Sequence, residues 1–305
     1  MTLNTAVLGA NGIPGTSLGL VVERASRSAL ARLSPEKPTL FGPVQGATFS
    51  STPRAQVVGE GEAKSSSDVE LVPFKADPIK VQTSVRVSNE FQWADDDYKM
   101  QIIDGAVVPV IGDSISRAVD LLAFHGVNPA TGEVTPKMPK YLAQATNTVE
   151  MEGKPTAETV QAIGLVLKGG GAPNGIALDS GFGFDLATEI NPATNTELNP
   201  SLGFGQDIAS FRGLRTVSGT TVAGTPEATD SKIRAIVGDW SQIRWGFQRQ
   251  IPMELIKYGN PDNIYDGSGK PRDLAGHNEV LLRVEAVLYV AVGNLNRFAL
   301  IKDAA

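Results

Sequence analysis

The sequence feature that most constrains the fold is a segment rich in proline and glycine, at residues 35–78, that shows no helical periodicity. The residues that interrupt regular secondary structure are Pro35, Pro38, Pro43, Pro53, Pro73, Gly42, Gly46, Gly59 and Gly61. The segment also contains a serine run at Ser65, Ser66 and Ser67. Structureless loops of this length are unusual inside a compact domain. Short β-prone stretches at 55–58 and 69–72 instead predict a long extended hairpin.

The residues before this segment predict an irregular arm followed by a helix. Residues 1–14 are small and polar, with glycine and proline among them. Apolar side chains then recur at helical spacing, at Leu18, Val21, Val22, Ala25, Ala29 and Leu33. Thr16 or Ser17 is placed to cap this helix, and Pro35 ends it.

The residues after the segment predict one strand and one long helix. From Ile79 to Val87, apolar or β-branched residues alternate with polar ones, which is typical of a half-buried strand. A helical pattern then includes Met100, Ile103, Val107, Val110, Ile111, Ala118, Val119 and Leu122. The pattern ends near Phe124, and Pro109 inside it predicts a kink.

The second half of the chain predicts one further helix and mostly strands. The helix covers 156–167, after Pro155 and before a run of three glycines. Residues 172–230 read as strands and loops, and alternating stretches follow at 232–237 and 243–251. The strongest predicted strand covers 278–301, where alternate residues from Val280 to Val290 are apolar. Because helices and strands segregate along the chain, the predicted class is α+β.

Composition excludes several kinds of protein. The chain has 305 residues, of which 41% are hydrophobic, enough for a sizeable core. A net charge of −6 with dispersed Lys and Arg argues against a protein that mainly grips nucleic acid. There are no cysteines, so disulfides and thiolate sites are excluded. The first basic residue is Arg24 and the apolar run 284–292 is short, so we expect cytoplasmic synthesis and no membrane partner.

One tetrapeptide resembles a catalytic motif. Gly112-Asp113-Ser114-Ile115 matches the GDS block of a family of serine esterases. Such a nucleophile needs an exposed strand-to-helix turn and a nearby base. The tetrapeptide instead lies in the middle of a helical pattern, and only His125 and His277 could act as the base. A polar position on a helix is the better interpretation.

Other candidate sites also have simpler interpretations. Residues 267–270 look like the end of a phosphate-binding loop, but Ile264 replaces its first glycine and Pro271 its final Ser or Thr. Asp95, Asp96 and Asp97 suit a helix start better than a metal, since adjacent carboxylates point in different directions. Two histidines do not form a typical zinc site. We therefore predict no catalytic, cofactor-binding or metal-binding residue and no cofactor.

A set of sequence blocks, taken in order, resembles a known family. The blocks are SRSALARL at 26–33, Glu60-Gly61, Ser67-Asp68, Val87-Ser88-Asn89-Glu90, residues 172–184 and 210–222, Gly238-Asp239-Trp240-Ser241, Arg283 with Glu285, and residues 296–299. Together they resemble the major capsid proteins of tailed bacteriophages, which have the Hong Kong 97-like fold. The resemblance covers nearly the whole chain.

The resemblance implies an architecture. Residues 1–38 would form an N-terminal arm, and 39–78 an extended loop that reaches onto a neighbouring subunit. Residues 79–150 and 276–305 would form a peripheral domain with a long spine helix and long strands, and 151–275 an axial domain. The implied role is that of a non-enzymatic subunit. It self-assembles into hexamers and pentamers that form an icosahedral shell around packaged double-stranded DNA.

The resemblance also implies partners and a location. The partners are other copies of the chain, a portal, a separate scaffolding or decoration protein, and DNA held without sequence-specific contacts. The location is the virion capsid, assembled in the cytoplasm of a bacterial host. Two alternatives stay open. One is an encapsulin-like protein compartment, which shares the fold, and the other is the GDS-type esterase.

A covalent cross-link between subunits is not expected. The founding member of the family joins a lysine to an asparagine with the help of a glutamate. Lys64 and Lys75 lie in the corresponding loop, and Asn294 and Asn296 in the corresponding domain. No sequence feature selects a pair, so we predict that mature shells boiled in detergent release a single band at the subunit mass.

Overall fold

The computed structural model describes residues 28–49, 55–64, 71–93, 95, 99, 101, 103–202 and 210–304. The predicted cap at Thr16 or Ser17 and the first part of the predicted N-terminal helix lie outside these residues. The described elements form one three-stranded sheet, one six-stranded sheet and two separate two-stranded hairpins, with helices packed against the larger sheets. This arrangement confirms the α+β class.

The elements are numbered in chain order. The helices are α1 (Ala29–Leu33), α2 (Val108–His125), α3 (Pro155–Lys168) and α4 (Ser180–Thr188). The strands are β1 (Val44–Phe49), β2 (Leu71–Ala76), β3 (Ile79–Ser88), β4 (Thr148–Glu150), β5 (Gly175–Leu178), β6 (Ile190–Asn191), β7 (Thr196–Glu197), β8 (Ser210–Phe211), β9 (Leu214–Ser218), β10 (Ile233–Gly238), β11 (Ile243–Ile256), β12 (Glu279–Val292) and β13 (Phe298–Lys302).

The three-stranded sheet has β12 at its centre, antiparallel to β11 on one side and β3 on the other. The alternating residues of β12 from Val280 to Val290 are buried, as the sequence predicts. The predicted length of this strand is wrong, because β12 ends at Val292. The Gly293 amide donates to the Gln242 carbonyl, a short helical turn follows, and β13 enters the other sheet.

Helix α2 packs across the three-stranded sheet. Ile111, Ile115 and Val119 share a buried core with Leu282 and Leu288 of β12. A π-helical turn at Ile103–Val107 leads into α2, so Pro109 stands in the first α-helical turn, where its missing N–H does no harm. Where the sequence predicts a kink, the structure changes from a π-helical turn to an α-helix. Gly126, at φ +65°, ends α2 in the left-handed conformation.

The six-stranded sheet has the order β4-β13-β10-β5-β9-β8. Helices α3 and α4 bury Val166, Phe182 and Leu186 against one face. The end of α2 and the short α1 lie on the other face, with Phe124 and Leu30 in its core. The prediction of α3 is confirmed. Helix α4 was missed, because its glycines disfavour a helix and burial of its apolar side chains outweighs that local preference.

Sheet pairing divides the chain differently from the predicted domains. Strand β11 lies in the predicted axial range 151–275 but pairs with β12, which lies in the predicted peripheral range. Strand β13 lies in the range 276–305 but pairs with β10 of the six-stranded sheet. The domain boundaries remain a prediction. The pairing of β11 and β13 argues for boundaries nearer residues 243 and 293 than those of the predicted domains.

The proline-rich segment contains the predicted hairpin. Strands β1 and β2 are antiparallel, from Val44 opposite Ala76 to Phe49 opposite Leu71. The expected β-prone stretch at 55–58 is not part of a strand, so that detail of the prediction is wrong. The stretch at 69–72 overlaps the start of β2.

Candidate functional site

The N-terminal arm is attached to the body of the protein at a buried carboxylate. Asp120 of α2 accepts hydrogen bonds from the first amides of α1, Leu30 N to Oδ1 and Ala29 N to Oδ2, both at 3.0 Å. Thr221 Oγ1 donates to Oδ2 at 2.9 Å. Asp120 thus satisfies amides that the start of any helix leaves without an intrahelical partner.

The electrostatics of Asp120 are those of a desolvated acid. Burial raises the pKa of its carboxyl group, and the hydrogen bonds from the Leu30 and Ala29 amides act in the opposite direction. Ser28 completes the helix start, because its Oγ accepts from Ala31 N at 2.8 Å. The contact therefore joins the arm, α2 and the turn at 220–222.

The segment that follows α1, residues 34–42, runs along β11 and covers its outer edge. The Lys37 amide donates to the Trp245 carbonyl at 2.8 Å, and the Trp245 indole donates to the Ser34 carbonyl at 2.9 Å. Gly246 is required here, because a Cβ would lie 2.4 Å from the Lys37 carbonyl oxygen. Tyr289 of β12 donates to the same carbonyl at 2.7 Å. An otherwise open sheet edge is thus closed by the arm.

The base of the hairpin packs on the outer face of β12. Ala76, Tyr289 and Ala291 form a small buried cluster, and the partly buried Val44 and Phe74 pack against it. The hairpin is therefore anchored to its own subunit at its base.

The described part of the hairpin tip, residues 55–64, is exposed except for the half-buried Val58. Val57 exposes 97% of its surface. A turn follows, in which the Gly59 amide donates to Glu62 Oε2 at 2.9 Å and Gly61 adopts φ +86°. The tip therefore presents an apolar side chain and the carboxylates of Glu60 and Glu62 to the surroundings of the subunit.

A second exposed element is the loop 257–278 between β11 and β12. Arg86 of β3 holds it, donating from Nε to Asp262 Oδ2 at 2.7 Å and from Nη1 to Glu279 Oε2 at 2.8 Å. Arg86 also donates to the Asn260 side chain and the Arg272 carbonyl. The hydrogen bonds from Arg86 lower the pKa of both Asp262 and Glu279.

Large apolar side chains are exposed at several places on the described surface. They are Leu40, Phe41, Val57, Trp93, Val110, Val134, Val160, Leu167, Phe184, Ile190, Leu198, Tyr258, Ile264 and Tyr265. Tyr258, Ile264 and Tyr265 belong to the loop that Arg86 holds, and aromatic side chains of this kind often anchor protein interfaces. Single exposed apolar side chains are normal on any protein surface, so the three that share this loop are the informative ones.

The residues considered for an esterase do not come together. Ser114 lies inside α2, whereas the required nucleophile stands on a strand-to-helix turn. His125 is buried, and its Nε2 lies 3.1 Å and 3.0 Å from the carbonyl oxygens of Thr221 and Val222. Burial lowers the pKa of this histidine. His277 Nδ1 contacts the Asp273 carbonyl at 2.8 Å.

The remaining sequence candidates lie in structural turns or outside the described residues. Asp266 Oδ1 accepts from the amides of Ser268 and Lys270, so 267–270 is an exposed turn. Asp95 is exposed, and Asp96 and Asp97 are not among the described residues. In the described part of the chain, no group of three His, Cys, Asp or Glu side chains could hold a metal. No described helix is long and apolar enough to cross a membrane.

Lys75 and Asn294, two of the residues in the predicted cross-link regions, have local partners. Lys75 forms a 2.8 Å salt bridge with Asp77, and Lys64 lies on the exposed tip. The Asn294 side chain accepts from the Asn296 amide at 3.0 Å, which caps the turn before β13. These contacts select no lysine–asparagine pair.

The fold and its exposed elements define a class of protein: a subunit that assembles with other subunits. Comparison with solved structures identifies the relatives. A structure from Mycobacterium phage Ogopogo is 40% identical, covers 91% of this chain and 92% of its own, and has a TM-score of 0.76. A structure from Gordonia phage Cozz is 26% identical, covers 91% and 87%, and has a TM-score of 0.72.

A more distant match, described as the capsid of a native GTA particle, is 11% identical with a TM-score of 0.59 over 92% of this chain, and shows the fold. Neither the family models nor the curated protein sequences yield a match. The chain belongs to the family of tailed-bacteriophage major capsid proteins with the Hong Kong 97-like fold. It is a structural subunit of an icosahedral capsid.

The sequence predicts the hairpin but not the contacts that anchor the arm. Asp120 is buried in α2, although aspartate side chains are usually exposed. Its partners Ala29 and Thr221 are 91 and 101 residues away. A carboxylate between Val119 and Leu121, on the apolar side of the helical pattern, was the one available signal.

Proposed function

We propose that this chain self-assembles into hexamers and pentamers that close into a shell around double-stranded DNA. The observation that carries the proposal is the hairpin, whose base packs on Tyr289 while Val57 at its tip is 97% exposed. An isolated two-stranded hairpin is at best marginally stable in water. A surface on a neighbouring subunit supplies the contacts that the tip lacks within its own chain.

The role is non-enzymatic. Ser114, His125 and His277 have separate environments, and the titratable clusters around Arg86 and Asp120 bind backbone and side chains of the same chain. Ion pairs and helix caps of this kind perturb pKa values for structural reasons. The enclosed DNA is held by confinement, in keeping with the net charge of −6.

The proposed partners are a portal, a separate scaffolding or decoration protein and the packaged DNA. Assembly takes place in the cytoplasm of the bacterial host. The proposed division of the subunit is an arm at 1–38, an extended loop at 39–78, a peripheral domain at 79–150 and 276–305, and an axial domain at 151–275. An encapsulin-like compartment would enclose protein in place of DNA.

The test is to express the chain with and without the other capsid proteins of a phage from the same family. Analytical ultracentrifugation and negative-stain microscopy should show rings and closed shells. Particles recovered from infected cells should contain nuclease-protected double-stranded DNA. A compact monomer at every concentration, even with capsid partners, would contradict the assembly proposal, and protein cargo without DNA would favour the encapsulin-like alternative.

A further inference from the structure

One face of α2 holds the loop 219–232, which connects β9 to β10 of the six-stranded sheet. Arg117 donates from Nη1 to Thr220 Oγ1 at 2.8 Å and from Nη2 to the Thr225 carbonyl at 2.7 Å. The same guanidinium forms an ion pair with Glu227. The loop is therefore attached to α2 by charge-assisted hydrogen bonds.

A second attachment of the loop lies about two turns farther along α2. The Nε2 atom of His125 lies 3.1 Å from the Thr221 carbonyl oxygen and 3.0 Å from that of Val222. Inside the loop, the Gly224 and Ser231 amides donate to backbone carbonyls at 3.1 Å and 2.9 Å. These two amides exchange with solvent when the loop opens, so they report how firmly α2 holds it.

Asp120 lies between these two attachments and serves both the loop and the arm. Thr221 Oγ1 donates to Asp120 Oδ2 at 2.9 Å, and the Ala29 amide of α1 donates to the same oxygen at 3.0 Å. The Leu30 amide donates to Oδ1 at 3.0 Å. All four residues are buried. One carboxylate is thus the common acceptor for two segments that lie far apart in the sequence.

The arm fixes the orientation of this carboxylate. The amides of Ala29 and Leu30 hold the two oxygens of Asp120 separately. The last side-chain torsion of an aspartate is broad when no partner restrains it. A buried carboxylate that loses two hydrogen bonds also becomes costly to keep in place. Release of α1 would therefore remove the fixed acceptor that binds the Thr221 hydroxyl group.

Helix α1 also lies beside the start of the loop. Arg32 Nη2 donates to the carbonyl of Ser218, the last residue of β9, at 3.0 Å. A Cβ atom at Gly219 would lie 3.7 Å from the Cβ of Ala29. The docked arm, α2 and the first residues of the loop therefore meet at one place.

We propose that the N-terminal arm is a latch, in which docking of α1 at Asp120 fixes the loop 219–232 on α2 and release of α1 frees the loop. Because such a coupling is reciprocal, loosening the loop also weakens the docking of α1. Helix α2 packs on the three-stranded sheet and the loop belongs to the six-stranded sheet, so the latch controls one joint between them. The inference rests on the proposed function in one respect, since a neighbouring subunit would draw the arm away.

The variant Ala29→Pro removes the donor on the arm side. Ser28 has φ −55° and ψ 147°, a conformation favoured before proline, and proline is tolerated at the first helical position. In the unassembled subunit, the Gly224 and Ser231 amides should exchange at least about fivefold faster than in wild type. The control Glu36→Ala loosens the arm at β11, where its carboxylate binds a backbone amide, and should leave both loop amides unchanged.

The variant Thr221→Val tests the reciprocal effect, because it removes the donor on the loop side and keeps the shape of the side chain. The amides of Leu30 and Ser34 in the arm should exchange at least about fivefold faster than in wild type. The control Thr229→Val changes an exposed threonine of the same loop and should leave the arm amides unchanged. A cooperative thermal melt shows that each variant is folded.

A third comparison tests whether the coupling runs through Asp120. In the Asp120→Ala background, Ala29→Pro should no longer speed exchange in the loop, because the shared acceptor is absent. The same increase with and without Asp120 would overturn the inference, and so would unchanged or slower loop exchange in Ala29→Pro alone. These measurements use the unassembled subunit, so either result leaves the proposed function intact. If the wild-type chain forms no rings under any condition, the proposed function itself is contradicted.

Discussion

The core around α2 and β12 and the hairpin β1–β2 differ in where they obtain their stability. Leu282 and Leu288 of β12 are fully buried against α2 within one chain. The hairpin touches its own subunit through the small cluster at Tyr289 and presents Val57 outwards. Folding and assembly therefore depend on different residues, and substitutions should separate them.

The largest expected effect on stability comes from the core. Leu282→Ala removes a fully buried side chain, and such changes usually cost about 2–5 kcal/mol, through lost burial and the cavity that remains. Chemical denaturation of the unassembled subunit measures this cost. The matched change on the hairpin, Val57→Ala, should leave the free energy of unfolding within about 0.5 kcal/mol of wild type. Equal losses of unfolding free energy at the two positions would contradict the view that folding and assembly depend on different residues.

The next effect is expected at the attachment of the arm. Asp120→Ala leaves the amides of Ala29 and Leu30 buried without an acceptor, at a cost of about 2 kcal/mol. Asp120→Asn should lose less stability than Asp120→Ala, because the amide oxygen replaces one acceptor while the amide NH₂ group meets another donor. The measurements are thermal melts and hydrogen exchange of the two amides.

The pH dependence of the Asp120 variants has a defined sign. Burial raises the pKa of Asp120 in the folded protein, so its contribution to stability is complete below the pKa of the unfolded state and falls as the pH rises through the folded value. The stability difference between wild type and Asp120→Ala should therefore be larger in mildly acidic buffer than in alkaline buffer. If this stability difference stays constant with pH, or is larger in alkaline buffer, burial is not the main influence on the pKa of the Asp120 carboxyl group.

The fold was predictable where one local pattern determined the structure. Alternation in β12 and the proline and glycine limits of α3 were sufficient to place these elements. The sequence did not place helix α4, the break after Val292 or the pairing of β11, because each depends on packing or on a partner strand far along the chain. The end of β12 is a case in point, since Gly293 contacts Gln242 in the turn before β11.

The assembly surfaces were predictable only in outline. The lack of a core in residues 39–78 indicated a segment that needs a neighbour, and the family resemblance gave it a role. The attachment of the arm at Asp120 could not be foreseen, because Ala29 and Thr221 reach this carboxylate only through the fold. The same holds for the partners of Arg86, which range from Asn260 to Glu279.

A smaller effect is expected at Arg86, which orders the second exposed element. Arg86→Met should cost about 1 kcal/mol, in the range of partly exposed ion pairs, and should increase hydrogen exchange in the loop 257–278. The hydrogen bonds from Arg86 lower the pKa of Asp262 and Glu279 in the folded protein. Their contribution is therefore present above the unfolded pKa of about 4 and is lost as the pH falls through the lower folded values.

The control for this pH effect is the Arg86→Met variant itself. It should lack the acid-induced loosening of the loop that wild type shows between neutral and strongly acidic buffer. If wild type and variant respond identically to acid, the Arg86 cluster does not order the loop.

The hairpin should affect assembly far more than stability. Replacing residues 49–71 with a short Gly/Ser turn keeps Val44 and Phe74 on the cluster at Tyr289. Loop-closure entropy changes slowly with length, by about 0.6 kcal/mol per doubling, so the melting temperature should stay near that of wild type. Light scattering on the same sample should show no shells. Normal shells, or a collapsed melting transition, would each refute the separation of folding from assembly.

The smallest effect is expected at Ser114, where neither folding nor assembly depends on the hydroxyl group. Ser114 is partly exposed on α2, and no proposed folding or assembly contact uses its hydroxyl group. Ser114→Ala should change the free energy of unfolding by less than about 0.5 kcal/mol, as is usual for surface helix positions. Shells should form at the wild-type yield, measured by light scattering and microscopy. An ester-hydrolysis assay on both chains completes the test, because loss of a measurable activity in the variant would revive the esterase interpretation and contradict the non-enzymatic role.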